Sequence, residues 1–368
     1  MKLMIDRGEL LAGLARIQGI VERRGTLPIL ANALIEARDE RIELAATDLE
    51  VGFVATIAAR VETPGSVTLG AKKLHEIVRE LDESAVSIAI EDGSRVGIEC
   101  GPAHFSLLTI SPEEYPTIPG AEGVSFVPLE ASLLAEMIDR TLYATSTDET
   151  RYNLNGVYME TAEQDRIRFV ATDGHRLAKV EKSPPAPVEF LGKGIIVPRK
   201  GVVELRKLCD ETDGALEIGL GDGFLILRRP DLLLTSRLID GEFPNFRQIL
   251  PKDHKVRLVL DRERLVHAVR RMSLVAHERS RGFGLKLTDG RLELSASSPE
   301  LGEARETLPV DYSGDTFEGA FNARYVLDAL QAMVSKEVVI ELSEQLSPAQ
   351  FRPADDPDQV AVIMPMRL

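Results

Sequence analysis

The segment Thr172-Asp173-Gly174-His175-Arg176 sets an acid and an imidazole two residues apart, the pairing from which a general base is built. A hydrolytic reading also needs a nucleophile, and no Gly-x-Ser-x-Gly elbow accompanies the pair. Gly219-Leu-Gly-Asp-Gly223 has the glycines of a phosphate loop, but strand-like segments flank it and no helix follows, which predicts a hairpin turn. There is no Gly-Lys-Ser/Thr. The histidines His75, His104, His175, His254, His267 and His277 lack ligand spacing, and two cysteines cannot make a zinc pattern. Cys100 and Cys209 sit in apolar contexts and read as free thiols of a reducing compartment. No catalytic residue, metal or cofactor is expected, so the chemistry must lie in binding.

The elements that would position a binding surface come from a repeat. Arg-Ile-Glu-Leu-Ala-Ala-Thr-Asp at 41–48 returns as Arg-Ile-Arg-Phe-Val-Ala-Thr-Asp at 166–173 and as Arg-Leu-Glu-Leu-Ser-Ala-Ser-Ser at 291–298, a spacing of 125 residues. Solenoid units run to roughly 50 residues, so each copy is a whole domain. Three such domains in one chain trace an arc, and two arcs can close a ring. Each repeat divides again into two halves of strand, helix and three strands. The helices carry apolar stripes at i, i+3, i+4 and i+7: Leu10, Gly13, Leu14, Ile17; Leu74, Ile77, Val78, Leu81; Leu134, Met137, Ile138, Thr141; Val202, Leu205, Leu208, Cys209 less regularly; Leu265, Ala268, Val269, Met272; Val326, Ala329, Leu330, Met333. Alternating segments broken at Asp92-Gly, Asp222-Gly and Asp289-Gly read as antiparallel hairpins. The predicted class is α+β: three similar domains with helices packed inside curved antiparallel sheets.

The formal net charge of −15 would repel nucleic acid if spread evenly. It is not spread evenly: Lys72, Lys73, Arg79, Arg140, Arg199, Lys200, Arg206, Lys207, Arg264, Arg270, Arg271 and Arg324 fall on the polar sides of the predicted helices, while acids gather in strands and loops. Helices biased alike in this way predict a positive inner wall that holds duplex DNA by its phosphates without reading bases. A peptide-binding scaffold without DNA would need that bias to be accidental. No run of about 18 apolar residues and no signal peptide is present, so a cytoplasmic protein is expected.

Five motifs, in order along the chain, resemble those of the bacterial sliding clamp, the beta subunit of DNA polymerase III: Thr26-Leu-Pro-Ile-Leu30, Thr172-Asp-Gly-His-Arg-Leu177, Ile196-Val-Pro-Arg-Lys-Gly201, Asp240-Gly-Glu-Phe-Pro-Asn-Phe246 and Val362-Ile-Met-Pro-Met-Arg-Leu368. The resemblance spans essentially the full length, with domains at 1–121, 122–252 and 253–368. It implies the DNA clamp fold, closed as a head-to-tail homodimeric ring around duplex DNA. A clamp loader would place it there, and it would be a non-catalytic processivity subunit. It would tether the polymerase III alpha subunit, other polymerases, ligase and mismatch-repair proteins through short peptide motifs.

Site residues follow from the same resemblance. A partner-peptide pocket is implied at Leu154, Thr172, Gly174, His175, Arg176, Leu177, Pro244, Ile249, Val362, Ile363, Met364, Pro365, Met366 and Arg367, with Arg176 holding polar ends. Leucine, valine, isoleucine and methionine suit an adaptable peptide groove. Gln248, Ser280 and Pro348 depart from the family's usual residues at the rim. DNA contacts are implied at Arg24, Tyr152, Asn153, Arg199, Lys200 and Lys207. A dimer seam is implied where Phe105 and Leu107 meet Leu274 and Val275 in a sheet-edge joint.

Overall fold

A computed structural model of the chain describes residues 1–21, 27–82, 84–192, 194–251 and 253–367. Six times the backbone runs strand, helix, three strands. The first repeat has β1 (Lys2–Asp6), α1 (Arg7–Ile17), β2 (Asn32–Arg38), β3 (Arg41–Thr47) and β4 (Val51–Ala58). After an added strand β5 (Arg60–Thr63) come β6 (Gly65–Gly70), α2 (Ala71–Arg79), β7 (Ala85–Asp92), β8 (Arg95–Cys100) and β9 (Ala103–Leu108). The second has β10 (Phe126–Glu130), α3 (Ala131–Asp139), β11 (Gly156–Thr161), β12 (Ile167–Thr172) and β13 (Arg176–Lys182), then β14 (Ile195–Pro198), α4 (Arg199–Cys209), β15 (Ala215–Gly221), β16 (Phe224–Arg229) and β17 (Leu232–Arg237). The third has β18 (Val256–Asp261), α5 (Arg262–Ser273), β19 (Gly282–Thr288), β20 (Arg291–Ser298) and β21 (Gly302–Pro309), then β22 (Phe317–Asn322), α6 (Ala323–Gln331), β23 (Glu337–Leu342), β24 (Ala349–Pro353) and β25 (Val360–Ile363).

Each helix starts where a strand ends. At α1, α5 and α6 the last strand residue, Asp6, Asp261 or Asn322, caps the helix by accepting from a backbone N–H of its first turn. The predicted stripes point inward: Leu10, Leu14, Leu134, Ile138, Val202, Leu205, Val269 and Leu330 are all buried, and only Ile77 among the stripe residues stays half-exposed. At Asp222-Gly223 both residues have positive φ, 49° and 80°, which lets a two-residue loop join β15 to β16. Both cysteines are buried, and neither forms a disulfide.

Two compact units result, Met1–Ala131 with Val203–Leu238, and Ser132–Val202 with Ile239–Leu368. The first unit contains sheets ordered β5-β1-β7-β8-β9 and β10-β15-β16-β17-β4-β3-β2-β6. The second contains β14-β11-β12-β13-β25-β24-β23-β18 and β21-β20-β19-β22. All pairings are antiparallel, and apart from the added β5 on β1 one rule covers those between halves and repeats. The opening strand of each half joins the three-strand run of the other half of its repeat, as β1 joins β7 and β18 joins β23. The closing strands of successive repeats then meet, β4 on β17 and β13 on β25. Two closing strands, β9 and β21, are left at sheet edges.

Candidate partner groove and nucleic-acid face

In the second unit, β13 and β25 pair with Leu177 opposite Val362 and Arg176 opposite Ile363. Strand alternation sends these neighbours to opposite faces. Ile363 enters the large core with Phe283, Phe321, Leu330 and Phe351. Val362 and Leu177 enter a smaller cluster with Val170, Val360 and Phe246, against which Tyr158, Phe243, Ile249 and Leu250 pack half-exposed. Tyr158 stacks on Phe243 with ring centroids 4.9 Å apart. Beyond the strand, Met364 is 40% exposed, its N–H donating to His175 O at 2.9 Å. The arrangement is an apolar floor with adjustable methionine and aromatic edges, suited to apolar side chains of an extended peptide.

The 172–176 turn is held by its own side chains. Thr172 Oγ1 donates to Arg176 O at 2.6 Å and accepts from Gly174 N, whose φ is 86°. Asp173 Oδ1 accepts from the N–H groups of His175 and Arg176, and Oδ2 accepts from Arg176 Nε at 3.0 Å. The carboxylate is therefore a turn cap and does not serve the imidazole. Arg176, expected to hold polar ends of a partner, is 8% exposed and turned inward. Its guanidinium donates to Asp328 Oδ2 and Tyr143 O, both at 2.6 Å, and lies 4.5 Å from the Tyr325 ring centroid. A buried cation must be paired, and these partners occupy its donors.

The remaining pocket residues divide. Leu154 is buried, while Gly174 and His175 are exposed and Pro244 and Ile249 half-exposed around the cluster. Pro365 is half-buried. Met366 and Arg367 diverge from the floor: Met366 N bonds Ala320 O on β22, and both residues line a separate cavity of about 630 Å³ beside Lys286, Glu318 and Leu346.

The expected DNA contacts are less uniformly available than their charge suggested. Tyr152 is 59% exposed. Asn153 Nδ2 donates to Glu242 O at 3.0 Å. Arg199 is exposed yet donates to Leu142 O and Thr145 Oγ1, and Lys207 is paired with the buried Glu204 at 2.8 Å. Lys200, on the first turn of α4, is half-buried. Lys73 with Glu76 and Arg206 with Asp210 are also ion pairs one helical turn apart. The helix faces are thus mixed in sign, because a base and an acid one turn apart neutralise each other locally. Arg24, with the rest of 22–26, lies outside the described residues.

Phe105 and Leu107 sit half-exposed on the edge strand β9, beside Leu108, which is 71% exposed. Leu274 (72% exposed) and Val275 follow α5 and lie on no strand themselves. The edge strand of that repeat is β21, which the sequence reading missed. Its signal was positional: β21 follows the third copy of the repeat as β4 and β13 follow the first two. Among the described residues no three His, Cys, Asp or Glu side chains group as a metal site, and no helix is long and apolar enough to cross a membrane.

Models of the DNA polymerase III beta subunit match the chain in three stretches: N-terminal domain over 1–119, central domain over 128–245 and C-terminal domain over 247–367. The beta sliding clamps of Caulobacter vibrioides and Escherichia coli K12 are each 36% identical to it over the whole of both chains. The crystal structure of the Pseudomonas aeruginosa DNA polymerase III subunit beta matches with a TM-score of 0.93, and that of a Bartonella birtlesii sliding clamp bound to griselimycin with 0.95. Both are 35% identical and cover all of both chains. The chain belongs to the DNA polymerase III beta subunit family, the beta sliding clamps.

Proposed function

We propose that this sliding clamp works as a non-catalytic, closed dimeric ring around duplex DNA, tethering replication and repair proteins by short peptides seated at Leu177, Val362 and Met364. The observation that carries the ring is the fate of the closing strands. Within the chain, β4 takes β17 and β13 takes β25, which leaves β9 and β21 as edges. By the same rule β9 of one copy takes β21 of another, with Phe105 and Leu107 set against the Leu274 and Val275 end of α5. Two such joints leave no closing strand unpaired, which is the closure a head-to-tail dimer needs. The three domains of the reading are 1–121, 122–252 and 253–368, and the protein works in the cytoplasm.

Retention is then topological, so tight phosphate contacts are unnecessary and neutralised pairs such as Lys207 with Glu204 are compatible with sliding. Exposed Tyr152 and Arg199 and half-buried Lys200, together with Arg24, are the contacts proposed for DNA. The partners are the clamp loader, the polymerase III alpha subunit, other polymerases, ligase and mismatch-repair proteins. The decisive experiment loads the protein on nicked circular DNA with its loader and ATP, washes with high salt, and then linearises the circle. A topological link survives the wash and is lost on cutting; equal salt sensitivity on circular and linear DNA rules the ring out. Light scattering should give twice the 40.5 kDa chain mass.

A further inference from the structure

The short 3₁₀ segment Glu149–Leu154, whose Tyr152 and Asn153 the sequence reading assigned to DNA, makes contacts that point elsewhere. Asp148 fixes its start by accepting from Thr150 N at 3.0 Å and Arg151 Nε at 3.1 Å. Arg151 then donates through Nη1 to Asp173 O at 3.0 Å, in the turn that opens β13 and forms one wall of the groove. Two residues on, Asn153 Nδ2 donates to Glu242 O at 3.0 Å, in the segment that carries Phe243, Pro244, Phe246 and Ile249 and forms the other wall. Leu154 is buried beside them. Arg151 is kinked out of helical geometry, with φ −112° and ψ 56°, which is how consecutive alternate residues reach both sides.

The second wall depends on this contact. Ile239 is tied back by its N–H to Ile196 O, and Arg247 by an ion pair to Glu160 at 2.6 Å. For 240–245 between them, among the described residues, the Asn153 amide supplies the hydrogen bond to another element. Gly241, at φ 148°, lies beside Tyr152 and Asn153, close enough that a Cβ there would make ordinary van der Waals contact with both.

We infer that Arg151 and Asn153 are positioning residues of the partner groove: they brace its two walls at a fixed separation, and Asn153 acts on peptide affinity rather than on DNA. The inference rests on the groove reading given above. A pre-set groove spares a peptide the cost of ordering the 240–250 wall on binding. Asp at 153 keeps the shape of Asn but cannot donate, so it isolates the hydrogen bond.

The test measures binding of a pentapeptide of the Gln-Leu-x-Leu-Phe type to intact dimer by calorimetry for N153A, N153D and R151A. Amide exchange over 240–250 is followed with and without saturating peptide. Loss of one such bond weakens affinity about three- to tenfold. Exchange over 240–250 should quicken in the free variants and return to the parent rate when peptide is bound, which a general loss of stability would not do. A chain ended at Ile363 serves as the control for the groove itself. If that truncation leaves affinity intact, the groove reading fails. If truncation abolishes binding while N153D and R151A match the parent in affinity and exchange, the brace is overturned and the groove stands. Reduced retention on circular DNA with unaltered peptide affinity likewise overturns it and returns Asn153 to the DNA face.

Discussion

The chain contains the same strand joint twice, and the two are covered differently. In the first unit Thr47 and Asp48 build the turn into β4: Leu49 N donates to Thr47 Oγ1, and the N–H groups of Glu50 and Val51 donate to Asp48 Oδ1. In the second unit Thr172 and Asp173 repeat those three bonds with Gly174, His175 and Arg176. One residue later the joints part. Gly52 faces Thr235 across β4 and β17, where Leu177 faces Val362 across β13 and β25. The missing side chain at Gly52 is replaced by Ile118 from the segment after β9, whose Cγ2 would lie 2.7 Å from a Cβ there. Over the second joint the covering residue is Phe246, and it leaves Ile249, Tyr158 and Phe243 half-exposed around large aliphatic side chains. Topology makes the joint; side-chain size decides whether the linker plugs it or leaves it lined for a peptide.

The largest effect expected on this comparison is at the residue before the pair, Val51 in one joint and Arg176 in the other. R176M leaves Asp173 and Asp328 facing a buried thioether, and breaking a buried pair typically costs 3–5 kcal/mol. Asp328 retains partial solvent access, which places the loss near the lower end, about 3 kcal/mol. Urea unfolding with a constant m-value reads it. A loss under about 1 kcal/mol would mean that Arg176 is not the tie between β13 and α6.

Next comes the swap that separates plugged from lined. G52L forces a side chain into space held by Ile118 and by Thr235 Oγ1, also 2.7 Å away, and overpacking of this kind costs about 1–3 kcal/mol. I118A in the same chain should recover part of it, since residues sharing one space are non-additive. Additive losses would show that Ile118 is not the plug.

A smaller effect concerns the turn shared by both joints. Leu49 has φ 76° where Gly174 has 86°, so only the first turn holds a side chain in the left-handed region. Leu49 is half-exposed, so L49G forfeits little burial and relieves backbone strain of about 1 kcal/mol. Thermal unfolding of L49G should therefore shift upward; a downward shift would mean that Leu49 packing outweighs its conformation.

Much of this was legible in the sequence because its signals are periodic. Stripes at i, i+3, i+4 and i+7 located all six helices, since a helix that must cover a sheet needs a continuous apolar face. Alternation broken at Asp-Gly pairs marked hairpins, as at Asp222-Gly223 between β15 and β16, but not which strands lie beside each other across repeats. Hence β21 went unnoticed as an edge strand. The setting of Arg176 was hidden for a related reason: its partner Asp328 is 152 residues away, and no local pattern shows a partner so distant. The helix charges misled through bookkeeping. Lys73 with Glu76, Glu204 with Lys207 and Arg206 with Asp210 have readable spacings, and counting bases alone overstated the positive face.

The smallest predicted effect extends the comparison to acid. Beside the second joint, burial alone would raise the Glu181 carboxyl, but hydrogen bonds from Arg168 and Lys179, both at 2.7 Å, outweigh it and hold the group below the usual glutamate value. Asp356 is held low in the same way by Lys182 and Arg140. In the first unit the depressed carboxylates Glu62, Glu76 and Asp92 lie at the surface, where water screens such pairs. A carboxylate held low in the folded state stabilises it above the unfolded pKa of about 4.3, and the contribution is lost as pH falls through the folded value. Acid should therefore loosen the groove-bearing unit through these groups. E181Q should lower stability at pH 7 by less than about 1 kcal/mol, given the partial exposure of the network, and should flatten the decline of the urea midpoint below about pH 4.3. A decline identical to that of the parent would show that Glu181 carries none of the acid sensitivity and that it must be sought at Asp356.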